Sequence, residues 1–263
     1  MMLRNWSVTL LMARGPLAVR RSFAALVSSA ALLSGAAIAA LLPGCGSPAQ
    51  PGAPRAKAPL SAAAALPPVG ERELRPLAAF ASLGEGPGRS QALFTELARV
   101  LLHPRCVNCH VQGESPAQGD YLALHDPPVV RGHEGRGVVG MECETCHQDR
   151  NLELSRVPGA TGWRLPPAEM AWEGRSPAEL CEQLKDPARN GQRGLTELVE
   201  HARRDALVAW GWQPGFDRSP PPGTQAEFAA LVGAWVESGA ACPQPSPGAA
   251  PTAASPAAAR STP

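Results

Sequence analysis

Apolar positions recur with helical spacing in four separate stretches of the chain. Over 91–102, Leu93, Leu97, Val100 and Leu101 share one face, which predicts an amphipathic helix ending at His103. Ser176-Pro177-Ala178-Glu179 reads as a capping box with proline at the first helical position, opening a helix that aligns Leu180, Cys181 and Leu184. A helix near 195–204 sets His201 three residues after Leu198, beside an apolar face. Thr224-Gln225-Ala226-Glu227 is a second capping box; its helix aligns Phe228, Leu231, Val232 and Trp235 and stops at Gly239. No stretch reads as several alternating strands, so the predicted class is mainly α, with many loops and little strand.

The two ends lack this period. Phe23 to Leu42 carries no charge and follows Arg4, Arg14, Arg20 and Arg21, the order of an export segment over 1–44, with Met12 an alternative start. Leu42-Pro43-Gly44-Cys45 resembles a bacterial lipobox, which makes Cys45 the lipid-bearing residue and ties the protein to the membrane; Pro43 departs from the usual pattern. Three readings compete: cleavage at Ala37-Ile38-Ala39, an uncleaved apolar anchor, and a twin-arginine signal at Arg20-Arg21-Ser22-Phe23. All of them put the chain beyond Cys45 outside the cytoplasm, on the periplasmic side. Residues 45–74, rich in Ala and Pro, read as a flexible tether, and 243–263 as a disordered tail. The predicted folded domain is 75–242, one domain by size.

Composition sharpens this picture. Gly (26) and Pro (29) are together about a fifth of the chain, which signals long loop-rich stretches. Aromatics are only 5%, too few for a large aromatic core unless something other than side chains fills it. The net charge of +1, with no acidic or basic block, excludes nucleic acid as the expected partner.

The chemistry lies in the seven cysteines. Cys106-Val107-Asn108-Cys109-His110 and Cys143-Glu144-Thr145-Cys146-His147 are two C-x-x-C-H motifs, the spacing of c-type haem attachment. Two thiols add across the vinyl groups on one edge of a porphyrin, and the histidine that follows binds the iron. The expected cofactors are therefore two covalent haem c groups, held by Cys106, Cys109, Cys143 and Cys146, with His110 and His147 as proximal ligands. A zinc site of four thiolates and a pair of disulfides are the alternatives. The spacing between the pairs exceeds that of a zinc ribbon, and zinc leaves both histidines as coincidences. Cys181 and Cys242 remain; an exported chain rarely leaves two free thiols, so a Cys181–Cys242 disulfide is expected over two buried free cysteines.

Candidate sixth ligands are His125, His201 and Met170, in that order. His125 opens the stiff loop His125-Asp-Pro-Pro-Val-Val, His201 sits beside an apolar helix face, and Met170 follows Pro166-Pro167-Ala168-Glu169. His103 and Met141 lie too near their own motifs to fold over the same ring, and His133 sits in a Gly-rich stretch. At least one bis-histidine haem is expected. Five of the six Trp fall in 163–235, where they either wall the haems or fill an ordinary core.

Over about 100–243 the chain resembles the exported bacterial dihaem cytochrome c-like proteins labelled "isoquinoline 1-oxidoreductase subunit". The likeness rests on His103-Pro104-Arg105-Cys106-Val107-Asn108-Cys109-His110, Met141-Glu-Cys-Glu-Thr-Cys-His147, Glu169-Met-Ala-Trp-Glu-Gly174, Lys185-Asp-Pro-Ala-Arg-Asn-Gly191, Trp210-Gly-Trp212 and Gly239-Ala-Ala-Cys-Pro243. It departs at Val111 and Thr161, where the family has proline. The resemblance implies a redox partner such as a molybdenum hydroxylase, although this chain has no room for a molybdopterin domain. The expected function is thus a lipid-anchored periplasmic electron carrier rather than a catalytic subunit. The competing classes are a dihaem peroxidase, which needs an open sixth site, and a zinc or disulfide structural module.

Overall fold

The computed structural model describes residues 66–245. The export segment, Cys45, the tether up to residue 65 and the tail beyond 245 lie outside the described residues. Within them the protein is mainly α with little strand. No helix among the described residues is long and apolar enough to cross a membrane.

A 3-10 helix, Leu77–Leu83, precedes α1 (Pro87–Leu101). Pro87 at the first position starts α1 one turn earlier than the apolar face alone predicts. The short helices α2 (Pro104–Val107) and α3 (Cys143–Cys146) carry the two motifs. Four helices follow: α4 (Pro177–Lys185), α5 (Leu195–Arg204), α6 (Ala206–Trp210) and α7 (Gln225–Glu237). Both predicted capping boxes close, Ser176 with Glu179 and Thr224 with Glu227, each satisfying N–H groups that a helix start leaves unpaired. The strands form three antiparallel hairpins: β1 (Ala117–Gln118) with β2 (Ala123–Leu124), β3 (Gly137–Val138) with β4 (Met141–Glu142), and β5 (Arg150–Leu152) with β6 (Val157–Ala160).

The apolar core is built from the two ends of this body. The apolar face of α1 meets α7, with Phe94 tilted against Trp235 at 5.0 Å between ring centroids. Leu180 and Cys181 of α4 are fully buried in the same cluster. Cys181 and Cys242 are joined as a disulfide, with their Cα atoms 5.5 Å apart, tying α4 to the segment after α7. Ordered packing begins earlier than residue 75: Leu74 is buried in the core, and Arg99 donates to the carbonyls of Gly70, Glu71 and Glu73. The last stretch of the expected tether is thus part of the fold. Glu96, buried on α1, accepts from the Arg75 N–H at 3.1 Å and from Arg99 at 2.5 Å.

Residues 104–170 differ from both ends. Their buried apolar side chains are only Val107, Val111, Leu165 and Met170, accompanied by the buried polar Arg105, Asn108 and Arg131. This stretch holds both motifs and all three hairpins, yet it has almost no side-chain core of its own.

Candidate functional site

The two motifs fold alike. His103 caps α2 by accepting the Arg105 N–H on Nδ1 at 3.2 Å, and Pro104 stands at the first helical position. One helical turn then brings Cys106 and Cys109 to the same side, since residues three apart are neighbours on a helix. The His110 N–H donates to the Cys106 carbonyl at 3.0 Å; in α3 the His147 N–H donates to the Cys143 carbonyl at 2.9 Å. Each motif thus presents two thiols and, one step on, an imidazole.

Both imidazoles are fixed in the same way. His110 Nδ1 lies 2.8 Å from the Met170 carbonyl, and His147 Nδ1 lies 2.7 Å from the Pro158 carbonyl. A carbonyl only accepts, so each Nδ1 carries the proton and each Nε2 keeps its lone pair for a metal. Each ring also stacks flat on a tryptophan: His110 on Trp172 at 3.4 Å and 7°, His147 on Trp163 at 4.5 Å and 7°. Trp210 meets the edge of Trp163 at 4.9 Å and donates to Asn151, which also receives the Gly159 N–H beside Pro158. Trp212 and Trp235 instead pack on Phe228 and Phe94 in the apolar core, so the tryptophans divide between site and core.

Electrostatics favour the ligating forms of the imidazoles. Burial pushes His110 down to about 4, against the opposing bond to Met170, so it is neutral at pH 7. Burial likewise lowers His147. Burial raises the Cys106 thiol to about 12, helped by Cys109; burial, then the neighbouring Cys143, raises Cys109 to about 11. The effect of Cys143 on Cys109 places the two motifs within electrostatic reach of each other.

The remaining candidates separate by their Nδ1 partners. His103 accepts on Nδ1 and so carries its proton on Nε2, which makes it a helix cap. His125 Nδ1 lies 2.8 Å from the Pro127 carbonyl, leaving Nε2 free, and its ring centroid is 5.8 Å from that of His147. His201 Nδ1 faces the Asp205 carboxylate at 3.3 Å, and its charge reaches His110. Met170 is buried, with its carbonyl on His110 and its sulfur beside Gly191. His133 and Met141 are exposed. The carbonyls of Met170, Pro158 and Pro127 are invisible to motif reading, which sees side chains only. The clustered tryptophans were the one signal for the two stacked rings.

Cys106, Cys109, Cys143 and Cys146 are all unbridged. Among the described residues no three His, Cys, Asp or Glu side chains converge in a metal-holding group, so the four thiols do not meet at one tetrahedral point. Four buried polar atoms around the first motif have no hydrogen-bond partner: Arg105 Nε, Asn108 Oδ1, Arg131 Nε and Trp172 Nε1. Comparison of the chain with protein-family models, with curated proteins and with solved structures finds no match.

Proposed function

We propose that the protein is a dihaem c-type cytochrome that carries electrons between partner proteins on the periplasmic side of the membrane, held there by lipid on Cys45. The observation that carries this reading is the matched pair of motif histidines, each with Nδ1 tied to a carbonyl, Nε2 free and one face on a tryptophan. Two independent C-x-x-C-H motifs have no reason to share this arrangement unless both imidazoles serve the same chemistry.

The residues fit two porphyrins in further ways. The stretch 104–170 buries few apolar side chains of its own and leaves several exposed, and flat apolar groups packed against it would bury that surface. Arg105 Nε and Trp172 Nε1 are buried N–H donors without an acceptor, the kind of group that porphyrin carboxylates satisfy. The bound haems supply one-electron ferrous–ferric chemistry. The chain's own part is to hold each proximal imidazole in one tautomer, limit water through Trp163 and Trp172, and fix the two sites near each other. Met170 would steady the His110 imidazole through its carbonyl, and its thioether stays a candidate ligand. The resemblance to isoquinoline 1-oxidoreductase subunits suggests a molybdenum hydroxylase as the donor.

Expression with the cytochrome c maturation machinery tests the reading. The purified protein should carry two haems per chain that resist acid-acetone extraction and give a pyridine haemochrome spectrum of the c type. A colourless protein containing zinc sinks it.

A further inference from the structure

Two imidazoles bonded to one iron through Nε2, at about 2 Å each, hold their ring centroids roughly 6 Å apart. The centroids of His125 and His147 are 5.8 Å apart, with the rings at 62°. The tautomers agree as well. His147 Nδ1 is occupied by the Pro158 carbonyl and His125 Nδ1 by the Pro127 carbonyl, so both rings keep Nε2 as their only free nitrogen. Resting on the c-type haem reading above, we infer that His125 is the second axial ligand of the iron held by His147.

A second observation points to the same place. The large apolar side chains left exposed include Leu124, Val130, Val138 and Met141. Leu124 directly precedes His125, and Met141 stands two residues before Cys143. Exposed apolar groups at both the ligand and the motif call for a cover, and a porphyrin clamped between the two histidines provides one. Pro127 and Pro128 stiffen the loop after His125, which limits the ordering needed when the ring binds.

Two imidazoles favour ferric iron more than an imidazole and a thioether do, so exchanging His125 for a thioether should raise the potential of this haem. Near-infrared magnetic circular dichroism of the wild-type holoprotein should show at least one bis-imidazole low-spin iron; if neither iron is of that type, the inference fails whatever the variants do. His125→Ala should keep two covalent haems but turn one high-spin, and added imidazole should restore it. His125→Met should keep that iron low-spin and raise its potential alone. A Cys106→Ser/Cys109→Ser protein, carrying only the second haem, identifies which iron responds: His125→Ala in that background should make all remaining iron high-spin. Unchanged low-spin iron in either background overturns the inference. Absence of covalent haem in the wild type overturns the underlying reading instead, so the two failures are distinguishable.

Discussion

Met170 shows what side-chain reading misses at the level of single residues. Its position after two prolines puts its thioether forward as a ligand, and the fold adds a second contact that the side chain does not reveal, a carbonyl on an imidazole 60 residues earlier. The motifs themselves are legible because each is a run of five consecutive residues of fixed spacing. Their anchors are not, because any residue has a carbonyl and only the fold selects one. The same logic makes Gly159 sensitive. It is buried between the Pro158 carbonyl and Ala160, and a Cβ there would overlap the carbonyls of Arg150 and Gln148. Gly159→Ala should destabilise the protein by about 1–3 kcal/mol through overpacking, read as a lower urea midpoint. It should also loosen His147, seen as altered coordination of one haem only. Trp172→Ala, which removes a buried indole from the face of His110, should cost about 3–5 kcal/mol.

The helices were the most legible elements, because capping boxes and apolar spacing are local signals. Both predicted boxes formed, and α5 spans Leu195–Arg204 as the spacing indicated. The hairpins were not legible: strands of two to four residues are too short to show alternation. Glu96 was also missed, a charge on an otherwise apolar face, because its partner Arg75 comes from beyond the helix. Glu96→Ala should cost about 1–3 kcal/mol, since Arg75 and Arg99 lose the carboxylate they share while keeping their carbonyl partners, and it should open residues 70–75 to proteolysis. At the junction of α5 and α6, Asp205 accepts from the N–H groups of Leu207 and Val208 and faces His201. Burial pushes its carboxyl up, but His201 and the two N–H groups together outweigh this and hold it at about 2. A carboxyl held below its ordinary value adds stability above that value, and the contribution is lost as pH falls through about 2. Urea midpoints should therefore drop between pH 5 and pH 2.5, and Asp205→Asn should narrow that drop.

For the molecule as a whole, the division between an apolar core at the two ends and a thinly packed middle reflects burial rather than composition: the middle has apolar residues, but Leu124, Val130, Val138, Val139, Met141 and Leu154 are exposed. The sparse aromatics of the sequence argue against a large aromatic core, and which stretch buries little of its own apolar surface emerges only from the fold. The Cys181–Cys242 bridge closes a long loop, with a sequence separation of 61. Chain-entropy reasoning gives roughly 4 kcal/mol for such a loop, so the Cys181→Ala/Cys242→Ala protein should unfold about 2–4 kcal/mol more easily in urea than the wild type. The pairing of α1 with α7 also sets an order in time. The two helices that bury most of the core flank the motif-bearing stretch in sequence, so α1 waits for its partner until almost all the described chain has been made. Non-local pairing of this kind is slow. During that interval the four motif thiols stand open alongside Cys181 and Cys242, so on the proposed c-type reading an enzyme attaching haem would have to compete with one forming disulfides for the same unfolded chain.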